Sequence, residues 1–317
     1  MKEVTKKFLR VHGTFSAPLG FARQLGCLLD RPQSTASLKK LEGTKATFQY
    51  KVPHTVCRNQ QMSVAAAMAV FDELSTVGLI ALDKGHRWGV SVNLSTSLFN
   101  PARPGDELLM DVEYNKMGKT LSFCTMELKD AKTGSLVATG HHTKYMPVNW
   151  IYDSFLSLPS ILPIFLSLLF SFGGTVKRTW LGKRFMPASP TADNLEVTKD
   201  LDNIFSGFGM KYDESAQSFT FMPGQHHCNP MSFHGGAAAM AAEECVVQSA
   251  EGNKSSSKGA TVVKKLEMTY LSAINRSQSN GVSVSVDKNY EGETLSRSVR
   301  GALSQKGTPR MLFEAHY

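Results

Sequence analysis

The strongest constraint on the fold is that two parts of the sequence follow the same order of elements. Residues 47–53 read TFQYKVP and residues 218–223 read SFTFMP, and each is an alternating aromatic run that ends in a proline, as strands do. Each run is followed by an Ala-rich stretch with an acid near its middle, Asp72 in one half and Glu243 in the other. Both stretches are apolar on almost every side, which indicates a helix enclosed by a sheet.

Four strand-like runs follow each of these helices. They lie near 88–99, 106–116, 120–130 and 135–146 in the first half, and near 260–272, 281–290, 294–304 and 309–317 in the second. One strand, one buried helix and four strands, made twice, predicts an α+β fold of two tandem domains. Each domain is expected to be a curved antiparallel sheet wrapped around a central helix. A length of 317 residues suits two such domains.

The strand region of the first half resembles a known enzyme family. Residues 89–146, from GVSVNLSTSLFNPARPGDELL to GHHTKYM, are similar to hotdog-fold acyl-CoA thioesterases of the phenylacetate-pathway and mammalian mitochondrial type. The second half carries the family's HGG at 234–236. The resemblance implies a double hotdog that hydrolyses a fatty acyl-CoA to the free acid and CoA. The expected organisation is a basic extension at 1–44, hotdog domains at 45–148 and 191–317, and an apolar insertion at 149–190.

Thioester hydrolysis needs a carboxylate that activates water or attacks the carbonyl, and donors for the developing oxyanion. Asp72 is the candidate acid, because an unpaired carboxylate inside an apolar helix is costly. A helix that begins at His234, Gly235 and Gly236 offers N–H groups without intrahelical partners, and glycine allows a ligand to approach closely. In the family such a helix start faces the acid of the paired domain. This implies Gly235 N–H as the oxyanion donor, with Asn229 and His234 orienting the thioester or the water.

The two halves carry complementary parts of such a site. The second half has Glu243 as its acid, and Val263 stands where the first half has Ser91, the family's polar residue beside the acid. The first half lacks HGG and has Ser63 and Val64 at the matching place. One working site per chain is therefore predicted, and a structural role for the acid, bonded to backbone or to Thr76, is the alternative. The complete cleft is expected to contain Asp72, Thr76, Ser91, Asn229, His234 and Gly235.

The family resemblance implies no metal or redox cofactor, because CoA is part of the substrate. Lys144 and Arg103 are candidates for contacts with the CoA phosphates, and His141 and His142 are interpreted as a strand end rather than a metal site. The chief alternative is a catalytically silent hotdog subunit with a structural or acyl-binding role in a membrane-associated complex. A hotdog hydratase is disfavoured, because the helix region has no hydratase-type Asp/His constellation.

The charge of the chain excludes some partners. The formal net charge is +8, from 35 basic and 27 acidic residues, yet no zinc-finger spacing, RNA-binding signature or long basic run indicates nucleic acid. An anionic ligand, an anionic lipid surface or organelle targeting accounts for the excess. Residues 1–31 are basic and almost free of acids, which is typical of a mitochondrial presequence, so a mitochondrial location is predicted. An amphipathic helix on the domain or on a membrane is the alternative.

The segment Ser154–Val176 contains 23 residues without a charge and is long enough to cross a bilayer. A single crossing would separate two halves whose sheets must pair, and Pro159 and Pro163 interrupt the run. Residues 154–184 are therefore predicted to lie on a membrane surface or to enter it partway, with a lid over the domains as the alternative. A homo-oligomer of double hotdogs is a further expected partner. Anionic headgroups are expected near Lys177, Arg178, Lys183 and Arg184.

Overall fold

The structure of the protein is a computed structural model. It describes residues 21–29, 34–84, 87, 89–146, 204–205, 208–214, 216, 218–224, 227–228, 233–252, 262–274, 281–287 and 298–317. Residues 1–20 of the predicted presequence, the apolar insertion 149–190 and Asn229 lie outside this range. Those three interpretations therefore stay predictions.

Each half of the chain supplies one long buried helix. The α-helices are α1 (Phe21–Gln24), α2 (Val64–Leu82) and α3 (Gly235–Gly252), and a 3-10 turn spans His54–Val56. Ser63 caps α2, because its Oγ accepts a hydrogen bond from Ala66 N–H at 3.1 Å. Helix α2 is long and apolar enough to cross a membrane by length and composition, but most of it is buried inside the protein. Its apolar character on every side thus reflects enclosure by the sheet, as predicted.

The predicted strands are present in both halves. The first half contains β1 (Ala36–Glu42), β2 (Lys45–Lys51), β3 (Cys57–Arg58), β4 (Gln61–Met62), β5 (Val90–Leu98), β6 (Glu107–Met117), β7 (Leu121–Asp130) and β8 (Leu136–Tyr145). The second half contains β9 (Lys211–Asp213), β10 (Ser218–Phe221), β11 (Lys265–Tyr270), β12 (Val282–Asp287), β13 (Ser298–Gln305) and β14 (Thr308–His316). Strand β1 falls within the range 1–44 that the sequence assigned to an extension. It pairs with β2 across a tight turn at Gly43, whose φ of 58° favours glycine, so the sheet begins before residue 45.

Twelve of these strands form one antiparallel sheet. Their order is β1-β2-β6-β7-β8-β5-β11-β14-β13-β12-β10-β9. The order of the second six strands is the mirror of the first six, with β5 and β11 as equivalent strands at the centre. These two strands pair from Ser97 opposite Lys265 to Asn93 opposite Thr269. The predicted fold class is confirmed, and backbone hydrogen bonds join the two halves into a continuous sheet.

The two long helices touch on the inner face of this sheet. Their contact is close because α3 begins with glycine: a Cβ built on Gly236 would lie 2.7 Å from Ala69 Cβ and 2.8 Å from Ala69 Cα. The backbone of α2 therefore occupies the space that any larger residue would need. This contact fixes how the start of α3 is aligned along α2.

We predict that Gly236→Ala destabilises the protein. Glycine-to-alanine changes usually stabilise helices by about 1 kcal/mol, but here the new methyl group would push the two helices apart. The expected loss is about 1 to 3 kcal/mol of unfolding free energy, as for overpacked cores. Thermal unfolding followed by circular dichroism measures it, and an unchanged or higher midpoint would show that the helix contact is not tight.

Candidate active site

The Asp72 carboxylate lies in the middle of α2 and is buried. Its Oδ1 atom accepts a hydrogen bond from Ser91 Oγ at 3.0 Å and lies 3.6 Å from Lys144 Nζ. Burial alone would raise the pKa of Asp72, but Lys144, His234, His142 and the Ser91 hydrogen bond outweigh it and hold the pKa below its usual value. The carboxylate is therefore ionised at neutral pH and available as a base.

A β-bulge directs Ser91 toward this carboxylate. Ser91 pairs with Lys144 on β8, but the next pair along the two strands is Asn93 with Thr143, so Val92 is an extra residue in β5. Because side chains alternate along a strand, Ser91 and Asn93 would otherwise share one face of the sheet. The bulge turns Ser91 to the inner face, where Asp72 lies, while Asn93 stays on the outer face.

His142 belongs to the same cluster, which the sequence did not indicate. Its Nε2 lies 2.9 Å from Ser91 Oγ, and its Nδ1 lies 2.8 Å from Ser75 Oγ. Since Ser91 gives its proton to Asp72, Nε2 of His142 is the donor and Nδ1 accepts from Ser75. Burial and the charge of Lys144 lower the pKa of His142 to about 3, so the ring is neutral. The strand-end interpretation of His142 is wrong, because it lies well inside β8.

Lys144 is placed differently from its prediction as a phosphate ligand. Its side chain is buried, and Nζ donates to Ser91 Oγ at 3.3 Å while lying beside Asp72. The reason is the alternation of β8, which directs Ala138, Gly140, His142 and Lys144 inward and His141 outward. Lys144 is therefore a counter-ion for the acid. Period-two alternation through GHHTKY could have revealed this arrangement.

The start of α3 lies beside the acid of α2. His234 occupies the N-cap position, and its Nδ1 accepts the N–H of Gly236 at 3.0 Å while lying 3.6 Å from Asp72 Oδ2. Its Nε2 lies 3.1 Å from Glu73 Oε2 and carries the proton of that hydrogen bond. Burial lowers the pKa of His234, but Glu73 and Asp72 outweigh it, so the pKa is raised. The site predicted from the sequence does not include Glu73, although the two adjacent acids in an apolar helix could have indicated it.

Gly235, the first residue of α3, lies beside the Asp72 carboxylate. A Cβ added there would lie 2.9 Å from Asp72 Oδ2 and 3.2 Å from the Tyr270 hydroxyl. The Gly235 N–H belongs to the first turn of α3, whose N–H groups have no partner within the helix. Tyr270, another residue missing from the sequence prediction, donates to Gly235 O at 3.2 Å from the end of β11. Only glycine leaves room at this point for a ligand to approach the backbone.

Two predicted site residues do not join the cluster. The Thr76 hydroxyl donates to the backbone carbonyl of Asp72, one helical turn back, which is a common bond for threonine in helices. Arg103 is exposed and follows Ala102, whose carbonyl accepts the N–H of Met62 beside the start of α2. The Arg103 N–H donates to Asp106 Oδ2 at 2.8 Å, and contact of the Arg103 side chain with a CoA phosphate stays a prediction.

The opposite cleft is built from the equivalent elements but is filled by its own acid. Glu243 of α3 is buried, and its Oε2 accepts the Ala65 N–H at 3.3 Å at the start of α2. The Ser63 hydroxyl and the Val64 N–H also hydrogen-bond this carboxyl group, yet burial outweighs them and raises its pKa. Glu243 thus occupies the Val64 and Ala65 N–H donors at the start of α2. Val263 is buried and apolar, so it adds no hydroxyl group to the second half.

Comparison with known proteins finds sequence matches to part of the first half of the chain. A family model described as the Thioesterase superfamily matches residues 62–137. Acyl-coenzyme A thioesterase 13 of Mus musculus is 37% identical over 75 residues, which is 24% of this chain and 53% of that protein. Its counterpart in Homo sapiens is 36% identical over 75 residues. The chain spans about half the length of the curated relatives that it matches.

Solved structures agree with the fold over both halves. The 12:0-ACP thioesterase from Umbellularia californica superposes with a TM-score of 0.52, covering 87% of this chain and 98% of that one at 11% identity. A putative oleoyl thioesterase from Lactobacillus plantarum gives a TM-score of 0.51 with the same coverages at 8% identity. At such identities the likeness shows the fold alone. The chain therefore has the hotdog fold, and its region 62–137 matches the Thioesterase superfamily model.

Proposed function

We propose that this protein hydrolyses acyl-CoA thioesters to the free acid and CoA at one composite site between its two halves. The observation that carries the proposal is the meeting of an ionised Asp72 with the glycine start of α3, at 2.9 Å from the Cβ position of Gly235. A base and an oxyanion donor are the two groups that thioester hydrolysis requires. The name of the Mus musculus relative supports acyl-CoA as the substrate class.

The proposed chemistry begins with a water molecule held by Asp72. The carboxylate takes a proton from this water as the oxygen attacks the thioester carbonyl. The Gly235 N–H and the positive end of the α3 dipole stabilise the oxyanion that forms. The C–S bond then breaks, and the CoA thiolate leaves with the proton that Asp72 held.

The remaining members of the cluster position these groups. Ser91 fixes one oxygen of the carboxylate, His142 fixes Ser91, and Ser75 fixes His142. His234 holds the first turn of α3 in place through Gly236 N–H. A fatty acyl chain is the expected acyl group, and a chain-length series of acyl-CoA substrates tests this expectation. Absence of turnover with every member would instead support a silent acyl-binding subunit.

The first functional prediction compares the two acids. Asp72→Asn should lower kcat by about 10² to 10⁴, because the amide cannot accept the proton of the water. Glu243→Gln is the matched control in the opposite cleft and should retain most activity. Steady-state hydrolysis of acyl-CoA, followed through release of the thiol, measures both. Equal losses in two folded variants would place the site in the other cleft or in both.

The second functional prediction concerns Gly235. In Gly235→Ala, the methyl group would lie against Asp72 Oδ2 and Tyr270, in the space proposed for the oxyanion. We expect kcat to fall by about 10² to 10³, as when an oxyanion donor is lost. Thermal unfolding serves as the fold control. Normal turnover by the folded variant would remove Gly235 N–H from the mechanism.

The third functional prediction concerns pH. The charge of Lys144 lowers the pKa of Asp72, so Lys144→Met should raise it. Asp72 acts as a base only when it is ionised. A raised pKa therefore shifts the acid limb of the pH–rate profile to higher pH, so activity at low pH is lost first. The charge of Lys144 also lowers the pKa of His234. Lys144→Met should therefore raise the pKa of both Asp72 and His234. Lys129→Met, at a surface-exposed lysine paired with Glu127, is the control and should leave the profile unchanged.

A further inference from the structure

A band of exposed apolar side chains crosses the outer face of the sheet. Val90 is 59% exposed and Leu271 is 55% exposed, far more than large apolar side chains usually are. The two residues come from different halves of the chain. The outer band consists of Leu121, Phe123, Tyr145, Val90, Leu271 and Leu312, all of which are exposed.

Strand register places five members of the outer band in two neighbouring rows, the second of which crosses the polar residues Thr143, Asn93 and Thr269. Leu121 pairs with Tyr145, and Tyr145 pairs with Val90. In the next row, Phe123 pairs with Thr143, Thr143 with Asn93, and Asn93 with Thr269. Thr269 then pairs with Leu312 on β14. The band thus runs over five neighbouring strands, which is about 19 Å at about 4.8 Å per strand.

The outer band differs from the rest of the same face. Farther along the strands, Asp111, Glu113 and Glu127 alternate with Lys45 and Lys129 in ion pairs. A sheet face whose charged side chains form ion pairs in this way is suited to contact with solvent. Contiguous exposed apolar side chains mark interaction sites, whereas isolated ones do not. The partner of this face therefore contacts one end of the sheet rather than the whole of it.

Basic side chains flank the outer band at its β7 end. Lys116 pairs with Phe123 across β6 and β7, and Lys119 lies in the turn between these strands. Both lysines are exposed, as is Lys84 at the end of α2. Arg87 ties this end of α2 to the turn, because its guanidinium donates to the carbonyls of Gly118 and Lys119. An apolar surface beside several lysines is complementary to lipids with negative headgroups.

We propose that the outer band is a membrane-docking face, which lays the end of the sheet on an anionic lipid surface. Tyr and apolar side chains enter the interface between headgroups and acyl chains, while the lysines contact the headgroups. A second copy of the chain is a poorer fit. Each copy would bring its own exposed Lys84, Lys116 and Lys119 to such a contact, whereas an anionic lipid surface supplies the opposite charge.

Two further observations fit a lipid surface. The chain leaves β8 at Tyr145 within the outer band, and the sequence that follows holds the uncharged run 154–176 and then four basic residues. Ser91 and Lys144 of the candidate site are the direct neighbours of Val90 and Tyr145 in β5 and β8. Docking through the band would therefore place the membrane next to the end of the sheet that carries the site.

Vesicle sedimentation of the full chain tests the proposal. The probes are phosphatidylcholine vesicles with and without phosphatidylserine. The double variant Leu121→Ser, Phe123→Ser should bind both kinds of vesicle on the order of tenfold more weakly, because apolar area no longer enters the interface. Phe99→Ser is the matched control, since Phe99 is 54% exposed outside the band. Lys116→Ser and Lys119→Ser should each weaken binding to the phosphatidylserine vesicles only, on the order of fivefold.

The outcomes separate the possible occupants of the outer band. Weaker binding of the double variant with normal binding of Phe99→Ser supports membrane docking, provided that circular dichroism shows both to be folded. Equal binding of the double variant and the unchanged protein overturns the proposal, because another segment then makes the contact. A smaller assembly in sedimentation velocity, with vesicle binding unchanged, would also overturn it and assign the band to self-association.

Discussion

The close contact between α2 and α3 is the constraint on which the rest of this structure depends. Gly236 lets the backbone of α3 lie against Ala69, and this contact determines which residues of the two helices meet. Asp72 lies less than one turn beyond Ala69 on α2, so its carboxylate reaches the first turn of α3. The equivalent contact brings Glu243 to the first turn of α2. Both clefts therefore result from one helix contact inside a continuous sheet.

The difference between the clefts lies in the length of one side chain and in the residues at each helix start. Glu243 has one more methylene than Asp72 and takes the N–H groups of Val64 and Ala65 as its own partners. Asp72 instead has Ser91, Lys144 and two histidines around it, and one of these, His234, accepts the Gly236 N–H of α3. The start of α2 is capped by the acid of α3, so its Val64 and Ala65 N–H groups already have a partner. Sequence repetition therefore does not imply repetition of chemistry.

Much of the fold was predictable from the sequence, because periodicity and repetition report directly on burial. The eight runs expected after the two helices coincide with β5 to β8 and β11 to β14. The meeting of Asp72, Ser91, His234 and Gly235 followed from the repeat and the family resemblance together. By contrast, the inward positions of His142 and Lys144 depend on the phase of β8, which the interpretation of 135–146 as a strand did not specify. The bulge at Val92 has no local signal such as glycine, so it is visible only in the pairing with β8.

Some errors came from reading residue type without position. Lys144 was predicted to contact a CoA phosphate because it is basic, yet it is buried beside Asp72. Glu73 was not considered because Asp72 explained the acid in the helix, although both carboxylates contact His234. The role of a charged side chain can be predicted only when the sheet or helix face that carries it is known.

The pairing of β5 with β11 also has a consequence for synthesis of the chain. Strand β5 is complete long before residues 265–270 leave the ribosome, so the first half has an unpaired sheet edge during that interval. Such an edge can pair with the same strand of another nascent chain, as edge strands do in domain-swapped and aggregated proteins. Pairing of that kind would join two copies of the first half in place of the two halves of one chain. The late arrival of β11 thus makes correct assembly a matter of timing as well as of stability.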